Sequence, residues 1–358
     1  MKYVGVDLHK NQFTAYDSST GRYRNYGSNA IGIMSFIRDC KDTTTGEQIV
    51  VGVESTGNTR YFKRLLEAER IQVKVINTMK FKVITESVKK TDKHDASTIA
   101  EFLGKDMLPE AWLCSEYSER LRRLLHVRKT LVKAIVTTKN QIHGMVTAYG
   151  YEDKKSSLQS KRGRHMIMNT LASTEIGLVV QLLMDTIESL SENVKNIEKK
   201  IEELVEGDTR IELLMSIPGC GRITAWTIRA YTDDMNRFKS AQQYAAYVGV
   251  VPYVHNSNTL IRHGRITKHG PEPLRTAFVQ LVMGINRMRA LHNYRIMKRY
   301  RFIKENKGSG KAIIATARKL THIVWHILTN NEPFNPDLQL RSSWESNRHV
   351  QFEEKRFA

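Results

Sequence analysis

Four acidic residues have the types and spacing for metal-dependent phosphodiester chemistry. Asp7 closes the apolar run Tyr3-Val4-Gly5-Val6, and Glu54 closes Ile49-Val50-Val51-Gly52-Val53. Short β-branched runs of this kind read as buried strands of a central sheet, and two carboxylates at the ends of two such strands could sit side by side at one edge of it. Asp92 and Asp95 stand three apart at the start of an expected helix over 93–103 and share one of its faces. Gathered carboxylate oxygens suit Mg²⁺ or Mn²⁺, and a pair of such ions clamps a phosphodiester for in-line attack. Each acid alone also has an ordinary reading, as a turn residue, an N-cap or a charge at a helix start. The ordered set of strand-Asp, strand-Glu and helical Asp-x-x-Asp carries the inference.

A second group lies far along the chain. Ser257 follows Pro252 by five residues on a turn-like loop, and Arg262, Arg265, Lys268 and Arg275 come after it. Such an electropositive setting both positions a phosphate and stabilises an attacking serine alkoxide. Between the two groups, Ile217-Pro218-Gly219-Cys220-Gly221-Arg222 reads as a helix-hairpin-helix element, with Gly219, Gly221 and Arg222 as candidate DNA-backbone contacts. A tight interhelical turn uses the same residues.

The elements that must position these groups change character along the chain. Residues 1–110 alternate strand signals (3–7, 11–16, 22–26, 49–53, 72–76) with helical ones (29–40, 58–69, 93–103). A three-strand meander, a helix and a strand-helix-strand unit form an α/β layer with a mixed sheet, in the element order of the ribonuclease-H-like fold. Residues 111–207 carry a seam at 121, 124, 128, 131, 135, 138, 142 and 145, interrupted by Arg128 and Thr138. After polar stretches at 153–157 and 161–164, a second seam runs Ile176, Val180, Leu183, Ile187, Leu190, Val194, Ile197, Ile201, Leu204. The unbroken spacing of the second predicts a long antiparallel coiled-coil hairpin, with a plain helical bundle as the other reading. Residues 208–330 form a mainly helical domain, and 331–358 read as a polar, mobile tail.

Composition bounds the partners. Fifty-six Lys and Arg against 37 Asp and Glu give the 358-residue chain a formal net charge of +19, which points to a polyanion. Eleven of those cations fall between Arg287 and Lys319 against one acid, Glu305, with Tyr294, Tyr300 and Phe302 interleaved. The aromatics suit stacking on unpaired bases or the apolar side of a helix, the latter especially for Phe302. Three scattered cysteines and no zinc spacing fit a reducing compartment, and no membrane span or signal peptide is expected. The expectation is a soluble, cytoplasmic, nucleoid-associated protein of a prokaryote.

The pattern Gly249-x-x-Pro252, Ser257, Gly264-Arg265-Ile266-Thr267-Lys268-x-Gly270 and Leu274-Arg275 resembles that of the insertion-sequence-110 family of DEDD transposases. The related invertase of pilin genes shares it. The resemblance extends to Gly5-Val6-Asp7-x-His9-Lys10, Glu54-Ser55-Thr56-Gly57, Lys90-Thr91-Asp92-x-x-Asp95-Ala96, Ile217-Pro218-Gly219-Cys220-Gly221 and Ala315-x-Ala317-Arg318-Lys319-Leu320. It implies an N-terminal RuvC-like domain whose metal-binding acids match Asp7, Glu54, Asp92 and Asp95, and a C-terminal transposase domain whose nucleophilic serine matches Ser257. It further implies a transient phosphoseryl-DNA link, assembly into dimers and tetramers through the coiled coil, and a structured guide RNA from the element's noncoding end that pairs with donor and target DNA. Two departures stand out: Asn258 replaces the family's Gly after the serine, and Pro271-Glu272-Pro273 follows Lys-x-Gly. Asn tolerates left-handed backbone well, and Thr259 is the nearest other hydroxyl. The alternatives are a site-specific invertase, a junction-type nuclease with water as nucleophile, and a nucleic-acid-binding scaffold with a degenerate metal site.

Overall fold

The computed structural model describes residues 1–42, 46–78, 80–81, 92–150, 158, 160–171, 175–257 and 260–337. For Asp92, Ser257 and Arg262 it is the backbone position that is described. The chain divides into two compact units, Met1–Leu113 and Cys114–Ala358.

In the first unit the five expected strands form one sheet: β1 (Lys2–Leu8), β2 (Gln12–Asp17), β3 (Arg22–Gly27), β4 (Ile49–Glu54) and β5 (Gln72–Ile76). Their spatial order is β3-β2-β1-β4-β5, with β1 antiparallel to β2 and parallel to β4. Helices α1 (Ala30–Asp42) and α2 (Thr59–Ala68) bury Ile33, Phe36, Phe62 and Leu66 against Val4, Val6, Leu8, Val51 and Val53. Helix α3 (Asp92–Gly104) packs on the other face, where Ile99 and Leu103 meet Val50, Ile76 and Leu108. Because strand side chains alternate between faces, the apolar runs are hydrophobic on both sides, as a sheet covered twice requires.

Glycine sets how closely α3 approaches. Gly5 and Gly52 are register partners across β1 and β4. A Cβ on Gly5 would lie 2.0 Å from the Ala96 carbonyl oxygen, and one on Gly52 would lie 2.8 Å from Ile99 Cγ2. The helix backbone therefore rests directly on the centre of the sheet. Gly104, at the far end of α3, faces Tyr3, so the helix runs antiparallel to β1.

The second unit begins with a helical arm. Helix α4 (Glu116–Ala148) is followed by α5 (Lys161–Leu171) and α6 (Gly177–Val205). Leu121 and Leu125 of α4 share a cluster with Ile201 of α6, whereas Ile142 and Val146 cluster with Val180, Met184 and Ile187, so α4 and α6 are antiparallel. The segment 161–164, polar in sequence, opens α5, which adds Ile167 and Leu171 to the distal cluster. The distal end of the arm thus has three helices. Residues 153–157 lie outside the described residues.

At its root the arm joins a helical body of α7 (Thr209–Met215), α8 (Arg222–Thr232), α9 (Ala241–Val248), α10 (Glu272–Arg287), α11 (Arg295–Lys307) and α12 (Ser309–Asn330). The start of α4 is fixed by buried Asp233, whose carboxylate accepts from Ser115 N (3.1 Å), Ser115 Oγ (2.5 Å) and Ser118 Oγ (2.7 Å). Within 331–337, Phe334 is anchored: its ring stacks on Tyr294, and its amide donates to Ser216 Oγ at 2.8 Å. Residues 338–358, the rest of the expected mobile tail, lie outside the described residues.

Candidate active site

The glycine seat of α3 determines where the acids fall. Gly5, Asp7 and His9 alternate onto the α3 face of β1, and Gly52 and Glu54 onto the same face of β4. With Val6 opposite Val53, Asp7 and Glu54 are neighbours one position beyond the last register pair, at the carboxyl ends of parallel strands. From Gly5 to Asp7 is roughly 6–7 Å along the strand. From Ala96 back to Asp92 is roughly 6 Å along the antiparallel helix. The first turn of α3 therefore stands level with the strand-end carboxylates. Asp7, Glu54 and the Asp92–Asp95 turn are brought to one edge of the sheet.

Neighbouring groups hold that edge in shape. Asp7 is 7% exposed, while Glu54 and Asp95 are half-buried. His9, which sequence reasoning quoted only as part of a motif, places Nε2 at 3.1 Å from Asp7 Oδ2. The His9 carbonyl accepts from Ser28 Oγ (2.8 Å) and Asn58 Nδ2 (3.0 Å), tying the β1–β2 corner to the start of α2. Buried Thr59 donates through Oγ1 to the Glu54 carbonyl at 2.7 Å and accepts from Thr56 N at 2.7 Å. The signal for Thr59 was present in Glu-Ser-Thr-Gly-Asn-Thr, since a Thr opening a helix after a strand end is placed to bond the turn. Among the described residues no three His, Cys, Asp or Glu side chains are grouped closely enough to hold an ion. The donor set nevertheless fits a hard divalent cation, being carboxylates on one sheet edge with the Asp92 backbone beside them.

Ser257 belongs to the second unit. The stretch read from sequence as a loop is a β-hairpin of β6 (Pro252–Ser257) and β7 (Leu260–Ile266), with Ser257 paired to Leu260 at the end of β6. His255 and Asn256 break the apolar alternation, which hides the strand from a periodicity reading. Asn258 and Thr259 lie outside the described residues.

The sequence motif around 264–270 builds the root of this hairpin. Thr267 N donates to the Val251 carbonyl at 2.9 Å, and Lys268, in left-handed backbone at φ 54°, donates to the Gly249 carbonyl at 3.3 Å. A Cβ on Gly270 would fall 1.5 Å from the Tyr247 carbonyl oxygen, so no side chain fits there without a shift. Tyr253 Oη and His269 Nε2 are 2.6 Å apart across the same root. The expected cations separate by role. Arg265 and Lys268 are exposed, but half-buried Arg275 directs Nη1 to the Gly270 carbonyl at 3.3 Å and braces the backbone.

The Pro-Gly-x-Gly turn is likewise part of the packing. Gly219 (φ 82°) lies against the backbone of α10, where a Cβ would be 2.7 Å from Ile285 N. Gly221 caps α8 without a side-chain bond, and Arg222 pairs with Glu202 of α6. Of the three, Gly221 and Arg222 are exposed.

A mixed sheet with acids at one edge, joined in one chain to a basic helical unit, is consistent with a ribonuclease-H-like enzyme of nucleic acids, and comparison with known proteins gives the class. Residues 4–150 match a family model of DEDD-type IS110 transposases, and residues 211–301 match the model described as the transposase IS116/IS110/IS902 family. The chain is similar to a probable family 20 transposase of Pseudomonas aeruginosa, at 25% identity over 80% of this chain and 86% of the relative. It is similar to the transposase for insertion sequence element IS1111A of Coxiella burnetii, at 25% identity over 93% of this chain and 91% of the relative. The pilin gene-inverting protein of Moraxella bovis is 25% identical over 93% of this chain and 97% of its own length. The protein is a DNA transposase. It belongs to the IS110 family of insertion-sequence transposases. The DEDD-type domain implies use of a divalent metal. No helix among the described residues is long and apolar enough to cross a membrane.

Proposed function

We propose that the chain cuts and rejoins DNA strands with two sets of reactive groups, the carboxylates of Asp7, Glu54, Asp92 and Asp95 and the hydroxyl of Ser257. The observation that carries this reading is the seating of α3 on Gly5 and Gly52, which levels the Asp92–Asp95 turn with Asp7 and Glu54. These four carboxylates would hold Mg²⁺ or Mn²⁺, as a pair of ions, and the bound metal would supply Lewis-acid polarisation of the phosphoryl oxygens. His9, beside Asp7, orients that carboxylate. Ser257 Oγ attacks phosphorus, the bond to the leaving strand oxygen breaks, and the serine proton ends on the released hydroxyl. Exposed Arg265 and Lys268 at the hairpin root offset charge on the phosphate. Storing the phosphate as a seryl ester conserves the bond for rejoining, as strand exchange requires.

The same reading includes donor and target DNA, a structured guide RNA encoded by the element, action at the nucleoid in a prokaryotic cytoplasm, and dimers or tetramers. Self-association is supported by Leu178 (71% exposed) and Leu182 (58% exposed), one turn apart on α6 at the distal end of the arm. A site-specific DNA invertase uses the same chemistry on a different substrate, a reading favoured by the likeness to the pilin gene-inverting protein. A metal-dependent nuclease with water as nucleophile uses the acids alone. Incubation with end-labelled DNA separates these. Ser257→Ala should abolish the covalent protein–DNA adduct and strand exchange, and Asp7→Asn should lower cleavage by at least about a hundred-fold while leaving DNA binding intact. Undiminished metal-dependent cleavage by Ser257→Ala would remove the serine from the mechanism.

A further inference from the structure

A dense run of positive charge follows both groups of reactive residues in the sequence. Between Glu272 and Glu332 the chain has one acid, Glu305, and α12 has none. Helices α11 and α12 are joined by Gly308 alone and pack as a pair. At roughly 3.6 residues per turn, α11 has two distinct faces. Ile296, Met297 and Tyr300 are buried in the body. Arg295, Lys298, Arg299 and Phe302 occupy the opposite side of the helix.

Two features distinguish this surface from an ordinary solvated basic face. The first is convergence. Lys319 of α12 has its pKa lowered by partial burial and by the nearby charges of Arg295 and Arg299, so three cations from two helices crowd one place. His322, one turn further along α12, is lowered by burial and by Lys319 and Arg318. Cations held against their own repulsion are preorganised for a polyanion. The second feature is Phe302. Tyr300, which the sequence left open as a stacking residue, is buried, and Tyr294 stacks on Phe334 within the fold. Phe302, expected on the apolar side, is instead 48% exposed in the middle of the cationic face. A large aromatic half-exposed among cations suits stacking with a nucleobase, since every nucleobase has a face to offer. Arg301 is a scaffold residue: it turns inward, with Nη2 donating to the His292 carbonyl at 2.6 Å.

We infer that the α11–α12 face is a binding site for single-stranded nucleic acid, with backbone phosphates on Arg295, Arg299 and Lys319 and one unpaired base stacked on Phe302. A duplex keeps its bases paired inside and gains only the phosphate contacts, so the aromatic selects for the single strand. The inference takes from the proposed function only that the partner is a nucleic acid, and it uses neither the acids nor Ser257.

The test is fluorescence anisotropy of the full-length protein with labelled oligonucleotides of one sequence, as single-stranded RNA, single-stranded DNA and duplex DNA. Binding is measured without divalent ions, so a failure here is separate from a failure of the cleavage chemistry. Phe302→Ala should weaken binding of one or both single strands about ten-fold and duplex binding less than about two-fold, and Phe302→Trp should restore the single-strand affinity. The arm that responds identifies the occupant, an RNA or an unwound DNA strand. The triple change Arg295→Gln, Arg299→Gln, Lys319→Gln should lower affinity for the single strands and reduce the salt dependence of log affinity by about 2. A Phe302→Ala protein that binds single strands as tightly as the parent, or weakens duplex and single strands equally, overturns the proposal. So does an unchanged salt slope in the triple variant.

Discussion

The acidic sheet edge and the serine hairpin carry complementary parts of the proposed chemistry, yet they are built in opposite ways. Asp7 ends a strand paired on both sides and covered on both faces, with a helix backbone pressed onto Gly5 beside it. Ser257 ends a strand with a single partner, in a two-stranded sheet whose position is set at its root by Val251, Gly249, Tyr247 and Gly270. A two-stranded ribbon alone is marginal in water, so the hairpin depends on that root in a way the sheet edge does not. The contrast suits the division of labour. Metal ligands must be held within a fraction of an ångström, while a nucleophile that must meet a strand and then be released benefits from separate mounting.

Substitutions sharpen this contrast. The largest effect belongs to Gly5→Ala. Its Cβ meets helix backbone at the centre of the unit, where neither partner can move, so destabilisation of at least about 3 kcal/mol is expected. Amide exchange should rise across β1 and β4 but remain unchanged in β6 and β7. Gly270→Ala is the mirror experiment: the clash is tighter on paper, but a surface root can shift, so about 1–3 kcal/mol is expected. Exchange should then rise in β6 and β7 alone, with strand exchange lost and metal binding at the acids retained. If Gly270→Ala destabilised β1 as well, the two mountings would not be separate. Next comes Thr59→Val, which removes the hydroxyl on the Glu54 carbonyl and leaves a buried acceptor short of a donor, at about 1–2 kcal/mol. Calorimetric metal titration should show weaker affinity, and unaltered binding would make Thr59 a mere helix start. Tyr253→Phe should be smallest, about 0.5–1 kcal/mol from one partly exposed hydrogen bond, visible only as faster exchange in the hairpin.

Much of the first unit was legible because its signals are local. Alternating apolar runs marked five strands, and Asp7 and Glu54 closing two of them were visible as strand-end acids. Tyr300 and Phe302 show the limit. Both are aromatics on one basic helix, and only the packing of α11 on the body separates the buried ring from the exposed one. Lys161–Arg164 reads as a polar linker, yet it opens a helix because Ile167 and Leu171 find a partner in α6. Arg275 reads as a phosphate cation, and only the tertiary structure shows its half-buried guanidinium bonded to the Gly270 carbonyl.

The sequence by itself determined a strongly cationic chain and the order of strands and helices of the first unit, and it offered the candidate carboxylates and serine, since charge and element order follow from residue type and short-range periodicity. The tertiary structure decided placement. The parallel register puts Gly5 beside Gly52 and hence Asp7 beside Glu54, the antiparallel seat of α3 brings the Asp92–Asp95 turn level with them, and helix packing exposes Phe302 among the cations. Register and approach distance depend on contacts between residues far apart in the chain, and no local propensity encodes them.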